Sequence, residues 1–284
     1  MAKILTGKEV AQAVTEEIKI DVEKLKEKNI NPKLTIVRVG TNPSDLSYER
    51  GALKRMDKCG IKTKVVELNK EITQYEFTEK LKQINKDSNT HGILIFRPLP
   101  KQLREEEIKY IISPEKDVDC LSPLNVGKVT EGDVTGFPPA TPLAVMEMLK
   151  YYEIDFEGKN AVVLGRSLVV GKPMAMLLLK ENSTTTICHS RTKNLKRICR
   201  KADILVAAVG RARMVNDEYL SKDTVVMDVG INVDDNGNMC GDVDFELCKD
   251  KCEAITPVPR GVGSVTTSVL AKHVVKAAKL LNNL

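Results

Sequence analysis

The sequence predicts an α/β protein built as two α/β domains. Three observations carry that expectation. The chain has 284 residues, which at about 100–200 residues per domain suits two modest units. Strand, helix, strand, helix, strand alternate through its N-terminal third, and a second series of short apolar strands begins near Lys159. Such alternation builds parallel sheets, because parallel neighbours need a crossover and the crossover is normally a helix.

In order along the chain, residues 6–28 carry apolar side chains at helical spacing, and Thr6 with Glu9 three positions later fits a capping box. Residues 32–40 read as a strand ending in a turn, 45–59 as a helix stopped at Gly60, and 62–68 as a strand. A helix over 73–85 follows, then a strand over 92–96 that runs into Arg97-Pro98-Leu99-Pro100. The charged run 101–107 reads as a solvated helix face. A Pro-containing stretch, 113–142, separates the two series as a hinge, followed by a helix over 143–151. Strands are expected at 160–165, 184–188, 203–209 and 224–229, and a last helix at 266–281, rich in good helix formers.

Composition narrows the function. Hydrophobic residues make up 42% and charged residues 29%, the balance of a globular chain. Forty-four basic against 39 acidic residues leave a net charge of +5, too small and too scattered for nucleic acid but suited to an anionic small molecule. Trp is absent and aromatics are 4%, which argues against stacking platforms for single strands. Of seven cysteines, the only close pair is Cys248 and Cys252, with no second pair and no nearby His. No metal site is therefore expected, and reduced thiols in the cytoplasm are. No apolar run approaches the roughly 18 residues of a membrane span. His91 and His273 read as structural or exposed, and His189 as shaping a functional loop.

The strongest local signal is Val162 to Leu179, VVLGRSLVVGKPMAMLLL. A strand ends at Gly165, and a helix starts near Gly171-Lys172-Pro173, where Pro is favoured because its missing N–H would have been unpaired anyway. Exposed amides at such a helix start, with the positive end of its dipole, suit a pyrophosphate. The glycines are spaced G-x5-G rather than G-x-G-x-x-G, so an ordinary strand–Gly–helix turn remains the alternative. At the end of the next strand, Cys188-His189-Ser190-Arg191-Thr192 offers no carboxylate for ribose hydroxyls. Arg166 and Arg191 could meet a ribose phosphate, with Ser190 as hydrogen-bond donor, which favours NADP over NAD. Both arginines solvated at the surface is the other reading.

Together these segments resemble the bifunctional methylenetetrahydrofolate dehydrogenase/methenyltetrahydrofolate cyclohydrolase family. The matching pieces are Lys116-Asp-Val-Asp119, Pro139-Ala-Thr-Pro142, Val163-Leu-Gly-Arg-Ser-Leu-Val-Val-Gly-Lys-Pro173, Cys188-His-Ser-Arg-Thr192, Gly241-Asp-Val-Asp-Phe245 and Thr256-Pro-Val-Pro-Arg-Gly-Val-Gly263. The resemblance implies a catalytic, folate-binding domain over 1–140, completed by the C-terminal helix 266–284, and a Rossmann-like NADP-binding domain over 141–265. It also implies a cleft between them and a homodimer. The implied reaction is hydride transfer from methylenetetrahydrofolate to NADP, usually followed by hydrolysis of the methenyl product. Gly165, Arg166 and Ser167 would hold the cofactor, with Ile231 near the nicotinamide. Tyr48 would pack on the folate ring system, Asp119 would bind the pterin, and Pro259, Gly261 and Val262 would line the substrate pocket.

Two departures from the family pattern bear on the chemistry. The family carries a catalytic lysine four residues after the tyrosine; here Tyr48 is followed by Ala52. Lys54 corresponds to a second family lysine and lies about 240° around the helix from Tyr48 by the 100° step. Arg55 returns to the Tyr48 face, but a guanidinium keeps its proton and cannot act as a base. The family glutamine that supports the lysine is replaced by Phe96. No residue is therefore assigned as catalytic. Hydrolysis needs a positioned acid–base group, whereas hydride transfer depends on placing the donor carbon, so a dehydrogenase with weak or absent cyclohydrolase activity is expected. A register shift bringing Lys54 into the site would preserve both activities, and loss of both would leave a silent folate or nucleotide binder. Cys120 and Arg260 each stand where the family has glycine. Arg50, Arg97 and Arg260 either grip folate carboxylates or are solvated.

Overall fold

The computed structural model describes residues 2–284, in two compact units. In chain order the elements begin β1 Lys3–Ile4, α1 Gly7–Glu27, β2 Lys33–Val39, α2 Pro43–Lys58, β3 Lys62–Leu68, α3 Gln74–Lys86, β4 Gly92–Ile95 and α4 Glu105–Ile108. They continue α5 Pro123–Glu131, α6 Ala140–Tyr151, β5 Asn160–Leu164, α7 Gly171–Lys180, β6 Thr184–Cys188, α8 Leu195–Cys199, β7 Ile204–Ala207 and β8 Val225–Asp228. The chain closes with β9 Asn232–Val233, β10 Met239–Cys240, α9 Phe245–Cys248, β11 Ala254–Ile255 and α10 Thr266–Leu281.

One unit holds residues 13–138 and 267–284. Its sheet is parallel and ordered β3-β2-β4, with β2 central. Successive parallel strands on both sides of β2 require the crossover helices α2 and α3. Thr73 caps α3 in a full capping box with Glu76, and Asn42 caps α2 by accepting the Ser44 amide at 2.9 Å, ahead of Pro43 in the first turn. Val37, Phe77, Leu81, Ile93 and Ile108 are buried in one core cluster of this unit.

The other unit holds the N-terminal segment through Gln12 and residues 139–266. Its six-stranded sheet runs β1-β11-β8-β7-β5-β6, parallel throughout. Chain order reverses at β5, whose neighbours are β6 on one side and β7 on the other; ligands of open α/β sheets bind outside the strand ends at such a switch point. Val162, Leu164, Leu205 and Val226 lie in its core. All seven cysteines are free and buried.

Two expectations need correction. The stretch 113–142 is not a plain hinge: Ser122 caps α5, Pro123 opens it, and Gly132, at φ 72°, closes it. The N-terminal segment does not group with residues 13–138. Instead Lys3 pairs with Ala254 and Ile4 with Ile255, so β1 is an edge strand of the six-stranded sheet.

Candidate active site

At the end of β5 the chain turns with Gly165 at φ 131°, a region closed to most side chains. A Cβ on Gly165 would lie 2.3 Å from the Ala208 carbonyl oxygen, and one on Gly171 2.2 Å from that of Gly165. The two glycines thus let β5, the turn and the start of α7 pack at backbone contact. Ser167 Oγ accepts the amides of Val170 (3.0 Å) and Gly171 (3.4 Å), so this residue shapes the turn as well as standing on it. Arg166 is exposed beside it. The Gly165 amide donates to the Cys188 carbonyl at 2.9 Å, which sets the end of β6 against the glycine turn. There His189 Nδ1 accepts the Arg191 amide at 3.1 Å and Thr192 Oγ1 accepts the His189 amide at 2.9 Å. This tight loop leaves Ser190 and Arg191 exposed and contains no carboxylate, so the residues fit a phosphorylated dinucleotide.

Ile231 follows β8 and is exposed. Its Cδ1 comes within 3.8 Å of where a Cβ on Gly263 would stand. The expected nicotinamide neighbour and the loop of Pro259, Gly261 and Val262 are therefore adjacent. Two buried carboxylates that the sequence reading did not single out hold this end of the sheet together. Asp242 accepts the amides of Val209 (2.6 Å), Gly210 (3.0 Å) and Arg211 (2.8 Å) and the side-chain amide of Asn232 (3.0 Å). Asp228 accepts the amides of Gly230 (3.0 Å), Asp242 (3.0 Å) and Val243 (2.9 Å). Burial pushes the Asp228 carboxyl up to about 7 against those three donors, with neighbouring Asp242 adding to the rise. Gly230 and Gly241 are the visible signal: a Cβ on either would fall 2.3 Å or 1.8 Å from an aspartate side chain.

In the other unit, Tyr48 lies on α2 and meets Phe96, just past β4, edge to face at a centroid distance of 5.8 Å. Buried Arg38 on β2 anchors the helix through Glu49 at 2.8 Å, and reaches Glu67 on β3 at 3.0 Å. Ala52, one turn beyond Tyr48, is fully buried. Lys54 is exposed, and α2 runs without interruption past it. Arg55 is turned to Thr15 Oγ1 (2.7 Å) and Thr267 Oγ1 (3.5 Å). Asp117 is buried and accepts the amides of Leu121 (2.9 Å) and Ser122 (2.7 Å) and the side chain of Asn125 (2.9 Å). That turn carries Asp119 and the buried Cys120, at φ 60°, whose thiol is raised by burial. Arg97 pairs with Glu105 at 3.3 Å and Asp119 at 3.7 Å. Tyr48, Phe96, Arg97 and Asp119 thus form one chain of contacts at the carboxyl end of this sheet, while Arg50 and Arg260 are exposed.

These features define a two-domain α/β protein with a C-terminal, Rossmann-like NAD(P)-binding domain. Residues 5–119 match the family model for the tetrahydrofolate dehydrogenase/cyclohydrolase catalytic domain, and residues 139–282 match that for its NAD(P)-binding domain. The bifunctional protein FolD of Alkaliphilus oremlandii is 61% identical over 284 residues, the full length of both chains. Among solved structures, the bifunctional FolD methylenetetrahydrofolate dehydrogenase/cyclohydrolase of Campylobacter jejuni superposes with a TM-score of 0.96 at 41% identity, covering 100% of each chain. The Trypanosoma brucei enzyme, solved with NADP and an inhibitor, gives 0.93 at 33% identity, covering 100% of this chain and 99% of its own. The chain belongs to the tetrahydrofolate dehydrogenase/cyclohydrolase family. No described helix is long and apolar enough to cross a membrane.

Proposed function

We propose that this protein oxidises methylenetetrahydrofolate to methenyltetrahydrofolate by hydride transfer to NADP, and hydrolyses the methenyl product weakly or not at all. The observation that carries the reading is the Tyr48 face of α2, where the next turn presents the buried methyl group of Ala52 and the neighbouring strand end presents the Phe96 ring. Bound NADP supplies the acceptor for the hydride. The work left to the chain is positional. Tyr48 and Phe96 offer an aromatic surface to a flat heterocycle, and Asp119 accepts its N–H groups. The Gly165 turn and the α7 start receive the pyrophosphate, and Ser190 with Arg166 or Arg191 receives the ribose phosphate. The hydride leaves with its electron pair and the two flanking nitrogens share the resulting positive charge, so no base is required. Opening the methenyl bridge is different: water must lose a proton as it attacks, and neither an alkyl group nor a phenyl ring can take one.

The names of the relatives favour a second reading, with both activities intact: the 61%-identical Alkaliphilus oremlandii protein and the Campylobacter jejuni enzyme are both called bifunctional. Two assays separate them. Purified protein with methylenetetrahydrofolate and NADP should form reduced cofactor with accumulation of the methenyl compound. Methenyltetrahydrofolate alone should decay at nearly its buffer rate. Hydrolysis at a rate comparable to dehydrogenase turnover defeats the first reading, and the absence of reduced cofactor defeats both. If the first holds, a separate hydrolase must consume the product.

A further inference from the structure

We propose that Arg97 is a positioning residue of the folate site, holding the Asp119 carboxylate in place as an anionic acceptor for the pterin; this rests on the dehydrogenase reading above. Arg97 stands at the end of β4, directly after the ring that packs on Tyr48. Its guanidinium reaches two acids, Nη1 to Glu105 Oε1 at 3.3 Å and Nη2 to Asp119 Oδ2 at 3.7 Å. Its side chain is only 20% exposed, with Asp119 at 27% and Glu105 at 44%. The guanidinium fork is planar and always charged, so tethering one arm to Glu105 fixes the charge that faces Asp119. At 3.7 Å the second arm attracts the carboxylate without donating a direct hydrogen bond to it.

The backbone of Asp119 is fixed independently. The buried Asp117 carboxylate gathers the following turn, and Cys120 holds a left-handed conformation at φ 60°. The turn thus aims the residue and Arg97 sets its charge and rotamer. A pterin presents a ring N–H and an amino group side by side, a donor pair matched by the two oxygens of a carboxylate only when that carboxylate is ionised. An adjacent guanidinium favours the ionised form. A direct grip of Arg97 on the glutamate tail of folate is the competing role, but its fork is already engaged by two acids.

The test compares wild type, Arg97→Leu and Arg97→Lys in dehydrogenase assays at neutral pH, using mono- and polyglutamylated methylenetetrahydrofolate. Arg97→Leu should raise the folate KM by about fivefold or more and leave the NADP KM within about twofold. Arg97→Lys should recover part of the loss. An unchanged folate KM, an equal rise in both KM values, or a loss confined to the polyglutamylated substrate overturns the proposal. Wild-type protein that forms no reduced cofactor overturns the underlying reading, and this inference with it.

Discussion

An amine placed at position 52 would find a site with no room prepared for it. Ala52 is fully buried and Phe96 nearly so, and an ammonium there needs a polar partner to keep its charge. Lysine alone should therefore cost stability and add little activity, whereas Ala52→Lys with Phe96→Gln supplies both the amine and the amide. The double variant should accelerate methenyltetrahydrofolate hydrolysis by about 10²-fold or more, read as loss of the methenyl absorbance with NADP absent. No gain over wild type, with the fold intact, would show that these two positions are not what limits hydrolysis. Ala52 and Phe96 were legible as residue types in the sequence. What the sequence could not give was their surroundings: Phe96 against Tyr48, Lys54 facing solvent, and Arg97 between Glu105 and Asp119. Cys120 and Arg260 sit at φ 60° and φ 82°, a backbone region that glycine adopts without strain.

Elements were legible where a period could repeat. The residues of β3 and β6 and of the final helix α10 match the expected spans, because runs of five or more residues carry alternation, burial or helical spacing. The two-residue strands β1, β9, β10 and β11 carry none, and α5 was hidden because its opening Pro123 reads as a break until Ser122 is recognised as the cap. The last helix also carries a pH-sensitive group. His273 on α10 is buried, with Nδ1 2.9 Å from the Val118 carbonyl oxygen and its ring edge-on to Phe137 at 5.5 Å. Burial lowers it to about 4, and Lys276 and Lys272 act in the same direction. A base whose folded pKa is depressed leaves stability whole above its unfolded value near 6.5 and removes it as pH falls, because the unfolded chain then binds the extra proton. The loss between pH 6.5 and 4 should reach about 3 kcal/mol. His91 is lowered too, chiefly by burial, so the measurement must be a difference: urea unfolding at pH 7.5 and 4.5 for wild type and His273→Gln. Wild type should lose about 2–3 kcal/mol more than the variant over that interval. Asp87, held down to about 2 chiefly by the Thr90 hydroxyl, acts below this window and does not blur it. Equal losses in the two proteins would remove His273 from the account.

At the scale of the whole chain, neither unit is a continuous segment. The helix α1 passes from one to the other after Gln12, and the chain returns to the first-described unit at Thr267, within α10. Sequence reading placed a boundary near residue 140, where a Pro-containing stretch separates the two series of strands. It could not see that the N-terminal residues join the six-stranded sheet, since pairing of β1 with β11 is a contact between chain positions about as far apart as this fold allows. That contact is a testable part of the architecture. The Ala2, Lys3 and Leu5 amides donate to the carbonyls of Lys249, Glu253 and Ile255 at 2.7, 2.9 and 2.9 Å, and Leu5 is fully buried. A Cβ at Gly7 would fall 2.2 Å from the Gly261 carbonyl oxygen, so the start of α1 lies directly against the loop of Pro259, Gly261 and Val262. Deleting residues 2–5 from the full-length protein should cost the sheet about 2–5 kcal/mol from the lost leucine alone. Hydrogen exchange should then accelerate at β11 while β2, in the other unit, keeps its protection. Unchanged protection at β11 would mean that β1 contributes nothing to the sheet it borders, and the N-terminal residues would then have to be treated as a tail rather than a strand.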